Sequence, residues 1–337
     1  MSLQPAARTV GFKPGERNVF FHLLTACNLS CRHCYINPQQ HGTQTVSSET
    51  ALQWLRLFAR KEKQSNLILL GGEPTLHPQL AAIIKAAKAM RYSVTVDTNG
   101  FLHHDLLSNI TPEELDYLSF SLDGPTPEVN DPIRGDNVFS TCINNIRRAV
   151  DAGFSTSLIY TVSGLNIDHL DKMPELLVQL GIQKFFVQVI GLRGNPAQEK
   201  SADSWLVDPA KWLDIVPGVA ADAASKGLHV IYPKVYLEPE EVFECAGTVA
   251  ENYFIFPNGR VYQCPLCEDH PIHSFKIEDN TLLHREGLNE DRFFQLSIPE
   301  GCVMNKLLQP ENIQYFADGT PQHRISCCLL KQEIVPA

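Results

Sequence analysis

Residues 25–35 read TACNLSCRHCY and follow directly on an apolar run at residues 19–24. The run is rich in aromatic and β-branched side chains, a pattern that predicts a short buried strand leading into a cysteine-rich loop. The loop carries three cysteines within eight residues, at Cys27, Cys31 and Cys34. Such a C-x3-C-x2-C loop can supply three thiolates to an iron–sulfur cluster and leave the fourth iron open. The alternative is a zinc site, which needs a fourth ligand such as His33.

Strand and helix patterns alternate beyond this loop. Further strands are predicted at residues 67–70, 93–97, 117–122, 155–162 and 184–190. Helices are predicted at residues 48–63, 78–90, 138–152, 168–180 and 209–226, and His103 and His104 are expected to open a short helix. Strands that alternate with helices form parallel β-α units, which build either a barrel or an open doubly wound sheet. The patterns therefore predict an α/β fold and leave these two architectures open.

Several candidate site residues lie at or just beyond the predicted strand ends. They are Gly72, Glu73, Thr98, Asn99, Ser121, Asp123 and Gln188. In barrels of β-α units the active site lies at the carboxyl ends of the strands, where the loops meet. We therefore expect these residues near the cysteine loop. Turn formation is an equally good explanation for Thr98, Asn99, Ser121 and Asp123.

The composition is that of an ordinary globular protein, with 337 residues and a formal charge of −10. The absence of a Lys/Arg run argues against electrostatic binding to nucleic acid or to an anionic membrane. No apolar run is long enough for a signal peptide or a membrane span, so we expect a cytoplasmic protein. Its ten cysteines then indicate metal ligands or reactive thiols rather than disulfides. Cys142 lies at helical spacing with Ile146, which predicts a buried apolar role.

A second set of cysteines begins where the alternation of strands and helices stops, near Tyr236. Two short strand patterns flank Asn258-Gly259, a strong hairpin signal. The hairpin brings Cys245 toward Cys264, and Cys267 completes a C-x2-C pair that suits an iron–sulfur cluster or a structural zinc ion. The remaining cysteines of this set are Cys302, Cys327 and Cys328.

Two elements of the sequence resemble the radical S-adenosylmethionine (radical SAM) superfamily. Cys27, Cys31 and Cys34, with the adjacent Tyr35, look like the signature loop of that superfamily. Residues 71–74 read GGEP at the end of the second predicted strand and match a second motif of the superfamily. Two motifs in the right order and at the right distance are more specific than either motif alone.

The resemblance covers most of the first 235 residues and implies an architecture. We expect a partial (β/α)6 TIM-like barrel, open on one side, at residues 18–235. An N-terminal arm is expected before it, at residues 1–17.

The resemblance also implies a cofactor pair. The three-cysteine loop would hold a [4Fe–4S] cluster, and the open iron of this cluster would bind S-adenosylmethionine. One electron from a low-potential donor such as flavodoxin or ferredoxin would split the S–C5′ bond. The resulting 5′-deoxyadenosyl radical would take a hydrogen atom from the substrate, a step that no acid or base side chain can perform.

The same resemblance assigns roles to the candidate residues. Gly72 and Glu73 would contact the methionyl amino group, and Arg134, in an Arg-Gly element, would approach the carboxylate of S-adenosylmethionine. The competing explanations are a helix N-terminal charge for Glu73 and a surface salt bridge for Arg134. Four of the other residues, Thr98, Asn99, Ser121 and Asp123, are expected to contact the ribose. The remaining residues expected at the cofactor are Tyr35 and Gln188.

The segment from Cys245 through Gly259 to Cys264 resembles the start of the auxiliary-cluster domains called SPASM and Twitch. The dense run of further cysteines that a full SPASM domain carries is missing. We therefore expect a Twitch-like domain at residues 236–337 with one auxiliary [4Fe–4S] cluster. Its expected ligands are Cys245, Cys264, Cys267 and Cys302, with Cys327 as the alternative to Cys302.

The sequence as a whole predicts a radical SAM enzyme that begins its reaction by hydrogen abstraction from a small molecule. A peptide-modifying enzyme of the SPASM type is the alternative within the superfamily. Two other hypotheses remain open: a non-catalytic iron–sulfur or zinc scaffold, and a nucleic-acid-modifying radical enzyme, which would need a basic face at the mouth of the barrel.

Overall fold

The computed structural model describes residues 6–101, 105–199, 204–271 and 273–336. The short helix expected at His103 and His104 lies outside these residues. The strands are β1 (Arg8–Val10), β2 (Arg17–His22), β3 (Ser65–Leu70), β4 (Tyr92–Thr98), β5 (Tyr117–Ser121), β6 (Thr156–Val162), β7 (Lys184–Val189), β8 (His229–Pro233), β9 (Tyr236–Leu237), β10 (Glu251–Ile255), β11 (Arg260–Tyr262), β12 (Phe275–Glu278), β13 (Thr281–His284), β14 (Arg324–Ile325) and β15 (Lys331–Ile334).

The α-helices lie mainly between consecutive strands of the first two thirds of the chain. They are α1 (Pro38–His41), α2 (Ser48–Phe58), α3 (Leu80–Ala89), α4 (Leu106–Asn109), α5 (Pro127–Arg134), α6 (Val138–Asp151), α7 (Met173–Gln179), α8 (Asn195–Gln198), α9 (Pro209–Ser225), α10 (Ala246–Val249), α11 (Glu290–Phe293) and α12 (Val303–Leu308). The predicted alternation of strands and helices is thus present.

A large mixed sheet of 13 strands organises the molecule. Strands β2 to β8 are parallel neighbours in chain order, without any reversal. Because β-α-β crossovers are right-handed, such an order places the connecting helices on one face of the sheet. This winding differs from that of an open doubly wound sheet, in which the strand order reverses and helices cover both faces.

The seventh parallel strand, β8, was missing from the sequence prediction. It is only five residues long and ends in Pro233, and a proline within a short apolar run reads as a weak strand signal. Pairing with β7 on one side and β15 on the other supplies the stability that its own sequence does not indicate.

Segments from the C-terminal third of the chain extend both edges of the parallel sheet. At one edge β10 runs parallel to β2, and the paired Phe20 and Phe254 stack with their ring centroids 4.4 Å apart. At the other edge β15 pairs with β8, and β1 from the expected N-terminal arm pairs with β15. Main-chain hydrogen bonds therefore cross the domain boundary expected at residue 235 at both edges of the sheet.

Alternating side chains along the strands separate the two faces of the sheet. In β4 the side chains of Val94 and Val96 are fully buried in the main hydrophobic core. The intervening Thr95 and Asp97 are only partly buried and point to the opposite face. A second, smaller core surrounds Phe256 in the C-terminal region and includes several of the second-set cysteines.

The hairpin turn between β10 and β11 gives a test of backbone strain. Gly259 has a φ of +79°, and a Cβ at this position would lie 2.4 Å from the carbonyl oxygen of Ile277. Gly259→Ala should therefore lower the free energy of unfolding by about 1–3 kcal/mol, measured by urea titration. Gly218→Ala is the matched control: Gly218 lies within α9 with open space around it, so this variant should gain up to about 1 kcal/mol. Equal effects at the two sites would contradict this account.

Candidate active site

The start of the cysteine loop is fixed by the loop that follows β3. The N–H of Gly72 donates to the carbonyl of Leu24 over 2.9 Å, and the N–H of Glu73 donates to the carbonyl of Ala26 over 3.0 Å. A Cβ on Gly72 would lie 2.3 Å from the carbonyl oxygen of Ala26. The two loops approach so closely that only glycine fits at this position.

The end of the cysteine loop is held by two other segments. The N–H of Asn195, after β7, donates to the carbonyl of Cys34 over 2.9 Å, and the Asn195 side chain donates to the carbonyl of Cys31 over 3.0 Å. The N–H of Arg32 donates to the carbonyl of Ile133, in α5, over 2.9 Å. Segments that follow three different strands thus fix the path of the loop.

Glu73 is fully buried and accepts hydrogen bonds on both carboxylate oxygens. Oε1 accepts from the Thr98 hydroxyl over 2.7 Å and from the N–H and hydroxyl of Thr75 over 3.0 and 2.6 Å. Oε2 accepts from the N–H of Asn99 over 2.7 Å. Burial raises the pKa of Glu73, and these hydrogen bonds oppose the rise. Glu73 also caps the short 3₁₀ turn Pro74–Leu76. The structure therefore also shows the helix N-terminal role that the sequence allowed for Glu73.

Asn99 connects this carboxylate to the cysteine loop. Its Nδ2 donates to the Asn28 side chain over 2.8 Å and lies 3.7 Å from the Cys27 sulfur. Its Oδ1 accepts from the N–H of Phe101 over 2.9 Å, which is the turn-forming role considered from the sequence. Asn99 therefore serves the turn and also faces a thiol of the loop.

The three thiols of the loop lie near one another and are partly open to solvent. Cys27 is exposed, and Cys31 and Cys34 are half-buried. Burial raises the pKa of all three, that of Cys31 to about 12. The N–H of Leu29 donates to the Cys27 sulfur over 3.4 Å, the kind of contact that stabilises thiolate ligands of iron–sulfur clusters. These donors fit a cluster ligated by three cysteines.

No three histidine, cysteine or carboxylate side chains among the described residues are placed to hold a single metal ion. All ten cysteines are free thiols. Cys142 is fully buried in α6, as its helical spacing predicts.

Asp123 forms a buried ion-pair network under the loop. Its carboxylate lies 2.6 Å from Nε of Arg134 and 3.0 Å from Nε2 of His33, and it accepts the N–H of Thr161 over 2.8 Å. Burial by itself raises the pKa of Asp123, but Arg134 and His33 outweigh it and hold this pKa below its usual range. Both partners of the Asp123–Arg134 pair are buried, so the surface salt bridge considered from sequence does not form. The Arg134 carbonyl also accepts from the Cys31 thiol over 3.6 Å.

The remaining predicted cofactor residues are less closely tied to the loop. The Tyr35 hydroxyl shares a hydrogen bond of 2.7 Å with Nε2 of the buried His22. Ser121 is half-buried at the end of β5, and its carbonyl lies 4.0 Å from the Cys142 sulfur. Gln188 is exposed near the end of β7.

All six cysteines of the second set come together, with Cys267, Cys302 and Cys327 buried and Cys245, Cys264 and Cys328 half-buried. The thiols of Cys245 and Cys327, of Cys264 and Cys328, and of Cys264 and Cys267 lie close enough to shift one another's pKa. Cys302 is buried beside them and interacts electrostatically with Cys327 and Cys264. Cys327 thus contacts the first cysteine of the set directly, whereas the sequence had favoured Cys302 as the fourth ligand.

A cation accompanies this cluster without a carboxylate partner. Lys331 donates to the Cys328 carbonyl over 3.1 Å and forms no salt bridge with any residue that the structure describes. Burial lowers the pKa of Lys331, while Cys328 and Cys327 raise it. A cation in this position favours thiolates, the form in which cysteine binds metal.

Two residues that sequence reasoning missed lie between the cysteine sets. Arg193, after β7, forms an ion pair with Glu268 and lies 6.0 Å from the ring centre of Tyr35. Burial raises the pKa of Glu268 to about 7, against the opposing effect of Arg193. The position of Glu268 carried a signal, because Glu268 directly follows Cys267, just as the predicted Tyr35 directly follows Cys34.

Asp97 was also missed, although it is the last residue of the strand predicted at residues 93–97 and lies within β4. It is partly exposed on the face of the sheet opposite the main core and forms no salt bridge with any described residue. Burial raises the pKa of Asp97 to about 7, and the Glu73 carboxylate adds to the rise. A titratable carboxylate this near the cysteine loop is a candidate for contact with substrate.

Comparison with known proteins matches this site to a family. Residues 22–177 match the Radical SAM superfamily. A probable GTP 3′,8-cyclase of Saccharolobus solfataricus is 31% identical over 164 residues, which are 48% of this chain and 53% of the relative. The pre-heme d1 synthase of Dinoroseobacter shibae is 28% identical over 190 residues, which are 55% of this chain and 46% of the relative. The chain spans about half the length of the curated relatives it matches.

A solved structure shares the fold. Streptococcus suis SuiB bound to S-adenosylmethionine has a TM-score of 0.63 at 14% identity, covering 89% of this chain and 67% of SuiB. The likeness concerns the fold alone. Residues 22–177 thus match a radical SAM domain, and the relatives that share this match carry the names of enzymes. Domains of this family hold a [4Fe–4S] cluster and S-adenosylmethionine.

The family match leaves the rest of the chain without a counterpart in that domain, including the second cysteine set. None of the helices in the described ranges has the length and apolar character that crossing a membrane requires.

A mutation in the buried ion pair under the loop tests how much this pair stabilises the folded protein. Asp123→Asn leaves the Arg134 guanidinium buried without its counter-charge and should lower the free energy of unfolding by about 3–5 kcal/mol in urea titrations. Asp168→Asn removes the same charge from a pair with Lys211 whose side chains are 59% and 50% exposed, and should cost at most about 1 kcal/mol. Similar losses for the two variants would contradict the role assigned to Asp123.

Asp97 predicts a pH dependence of stability. Its pKa rises from 3.8 to about 7 on folding, so between these values the folded state holds a proton that the unfolded state has released, and stability falls as the pH rises. Asp97→Asn should therefore become more stable relative to wild type from pH 4 to pH 7, by at most about 4 kcal/mol at about 1.4 kcal/mol for each pKa unit. Urea titrations at several pH values measure this difference. The exposed Asp214→Asn should follow the wild-type profile, and a flat difference for Asp97→Asn would rule the account out.

Proposed function

We propose that this chain is a radical SAM enzyme that reductively cleaves S-adenosylmethionine at a [4Fe–4S] cluster held by Cys27, Cys31 and Cys34. The observation that carries the proposal is the cysteine loop, whose three partly open thiols are fixed by segments that follow three different strands. The one-sided winding of strands β2 to β8 supports a partial (β/α)6 TIM-like barrel, extended here by a seventh strand, as its architecture.

The residues around the loop have different proposed roles in binding and positioning the cofactors. When bound, the cluster supplies the electron that splits the S–C5′ bond of S-adenosylmethionine. The Gly72 main chain and the Glu73 carboxylate complement the methionyl ammonium, since an anionic acceptor strengthens such a hydrogen bond. The pairing of Arg134 with Asp123 gives Arg134 a positioning role at Cys31. Thr98 and Asn99 orient the Glu73 carboxylate through the hydrogen bonds described above.

The second cysteine set is proposed to hold one auxiliary [4Fe–4S] cluster in a Twitch-like region at residues 236–337. Support comes from the clustering of free, buried or half-buried thiols next to Lys331. Cys245, Cys264 and Cys267 are the first three ligands. The direct contact between Cys245 and Cys327 favours Cys327 over Cys302 as the fourth. Structural zinc on the same thiols is the alternative.

The substrate is proposed to be a small molecule. Support comes from the names of the sequence relatives, a GTP cyclase and a haem-related synthase, whose identities to this chain are 31% and 28%. The SuiB structure with a precursor peptide is 12% identical and represents the alternative, a peptide substrate. We further propose a cytoplasmic location, where thiols stay reduced, and a flavodoxin or ferredoxin as the electron donor.

Anaerobic reconstitution tests both cluster sites in one experiment. Wild-type protein should bind about eight irons per chain, and the Cys27/Cys31/Cys34 triple alanine variant about four, taking each cluster as a [4Fe–4S] unit. Under dithionite, wild type should release 5′-deoxyadenosine from S-adenosylmethionine, and the triple variant should release none. Cys142→Ala is the matched control, because this buried cysteine lies outside both sets and should change neither value.

The outcomes separate the alternatives. Zinc instead of iron in the first loop, or no 5′-deoxyadenosine from iron-loaded wild type, would contradict the enzyme proposal. Either result would favour a non-catalytic metal-binding scaffold. Four irons in wild type and none in the triple variant would leave the radical enzyme intact and remove the auxiliary cluster. A Cys327→Ala loss of iron that Cys302→Ala does not share would support the revised ligand set.

A further inference from the structure

A groove with a volume of about 420 Å³ lies on the C-terminal part of the sheet, and none of its lining residues belongs to the loop of Cys27. Strands β11 to β13 contribute most of its lining. Its charged lining residues are Arg260, Lys276, Arg285 and Glu278, together with His273 and His284. Three permanent cations face one carboxylate here, in a chain with a formal charge of −10.

Two of these cations face each other directly. Arg260 and Lys276 are cross-strand partners in the antiparallel pairing of β11 with β12. Like charges opposite each other on neighbouring strands destabilise a sheet. Glu278, the only carboxylate among the described lining residues, pairs with Lys276 at 2.5 Å and is exposed. This pair offsets part of the repulsion, and Arg260 is left without a salt bridge to any described residue.

The imidazole of His273 lies between two guanidinium groups. Arg285 Nη1 lies 3.0 Å from Nε2 of His273, and Arg260 Nε lies 3.3 Å from Nδ1. Burial and the charges of Arg260, Arg285 and Lys276 together lower the pKa of His273 to about 4. Burial also lowers the pKa of Arg260, and the nearby Glu290 and Glu268 oppose this effect. The excess of positive charge therefore acts on His273.

Other charged groups around Arg260 are already engaged. Glu290 accepts from the Ser274 hydroxyl and from the Gln263 N–H. Glu268 pairs with Arg193. The exposed His284 pairs with Asp291 at 2.9 Å. Among the described residues Arg260 and Arg285 form no salt bridge, although Glu290 and Glu268 act on Arg260 at longer range. The groove therefore keeps an excess of positive charge, which suits a phosphate group.

The groove is connected to the second cysteine set through Arg260. Its guanidinium donates to the main-chain carbonyls of Cys267, Glu268 and His270. A ligand that neutralises the charge around Arg260 therefore acts on the side chain that holds this loop in place.

We propose that this groove binds the phosphate group of a small molecule through Arg285, Lys276 and Arg260, and that the bound anion steadies the loop around Cys267. The volume is within the range of small-ligand sites, and convergent arginine and lysine groups suit phosphate. This site shares no lining residue with the proposed S-adenosylmethionine site and does not depend on a cluster in the second set.

Calorimetric titration of anaerobically purified protein at low ionic strength tests the site, with pyrophosphate, inorganic phosphate and acetate as probes. Wild type should bind one pyrophosphate per chain, phosphate more weakly and acetate not measurably, and added salt should weaken binding. Arg285→Gln should weaken pyrophosphate binding at least about tenfold. Arg147→Gln removes the same charge from an exposed position on α6 and should bind as wild type does.

Hydrogen exchange tests the connection to the cysteine loop. Pyrophosphate should slow amide exchange at residues 264–270 in wild type and not in Arg285→Gln. Because Arg285 is exposed, this variant should keep the wild-type circular dichroism, which separates loss of binding from loss of fold. Absence of saturable binding to wild type, equal binding by Arg285→Gln, or acetate binding as tight as phosphate would overturn the site, and unchanged exchange on saturation would overturn the connection.

Discussion

The contact between the cysteine loop and the loop after β3 determines the geometry of the whole site. Two main-chain hydrogen bonds and a glycine without a side chain bring the two segments into direct contact. Through this contact the Glu73 carboxylate, its partners on the next strand and the three thiols share one small region. A larger residue at Gly72 would separate the two loops, and with them the Glu73 carboxylate from the three thiols.

The charged groups beside the two cysteine sets differ, because the first set lies next to an ion pair and the second next to a single cation. In the first, the Asp123–Arg134 ion pair lies buried beside the loop and its two charges offset each other, so that the pair holds the loop while adding little net charge. In the second, Lys331 leaves its charge unmatched by any carboxylate in the described residues. Thiols whose pKa burial raises need such help to ionise, and an anionic cluster is stabilised by it.

The sequence predicted the features that depend on local patterns. The six strands from β2 to β7, the two cysteine sets and the strand-end positions of Glu73 and Asn99 all follow from periodicity and short motifs. Features that depend on pairing between distant segments were missed. Strand β8 exists because β7 and β15 flank it, and the contact of Cys327 with Cys245 joins residues from opposite ends of the C-terminal region. Asp97 was missed because its neighbours in space lie on other strands.

The parallel pairing of β10 with β2 has a mechanical consequence. The strand that leads into the first cysteine loop and the strand that leads toward Cys264 are neighbours in one continuous sheet, without a flexible tether between them. The C-terminal region therefore cannot swing away from the first loop like a hinged lid. Any exchange of electrons or substrate between the two cysteine sets has to take place between segments that the sheet holds side by side.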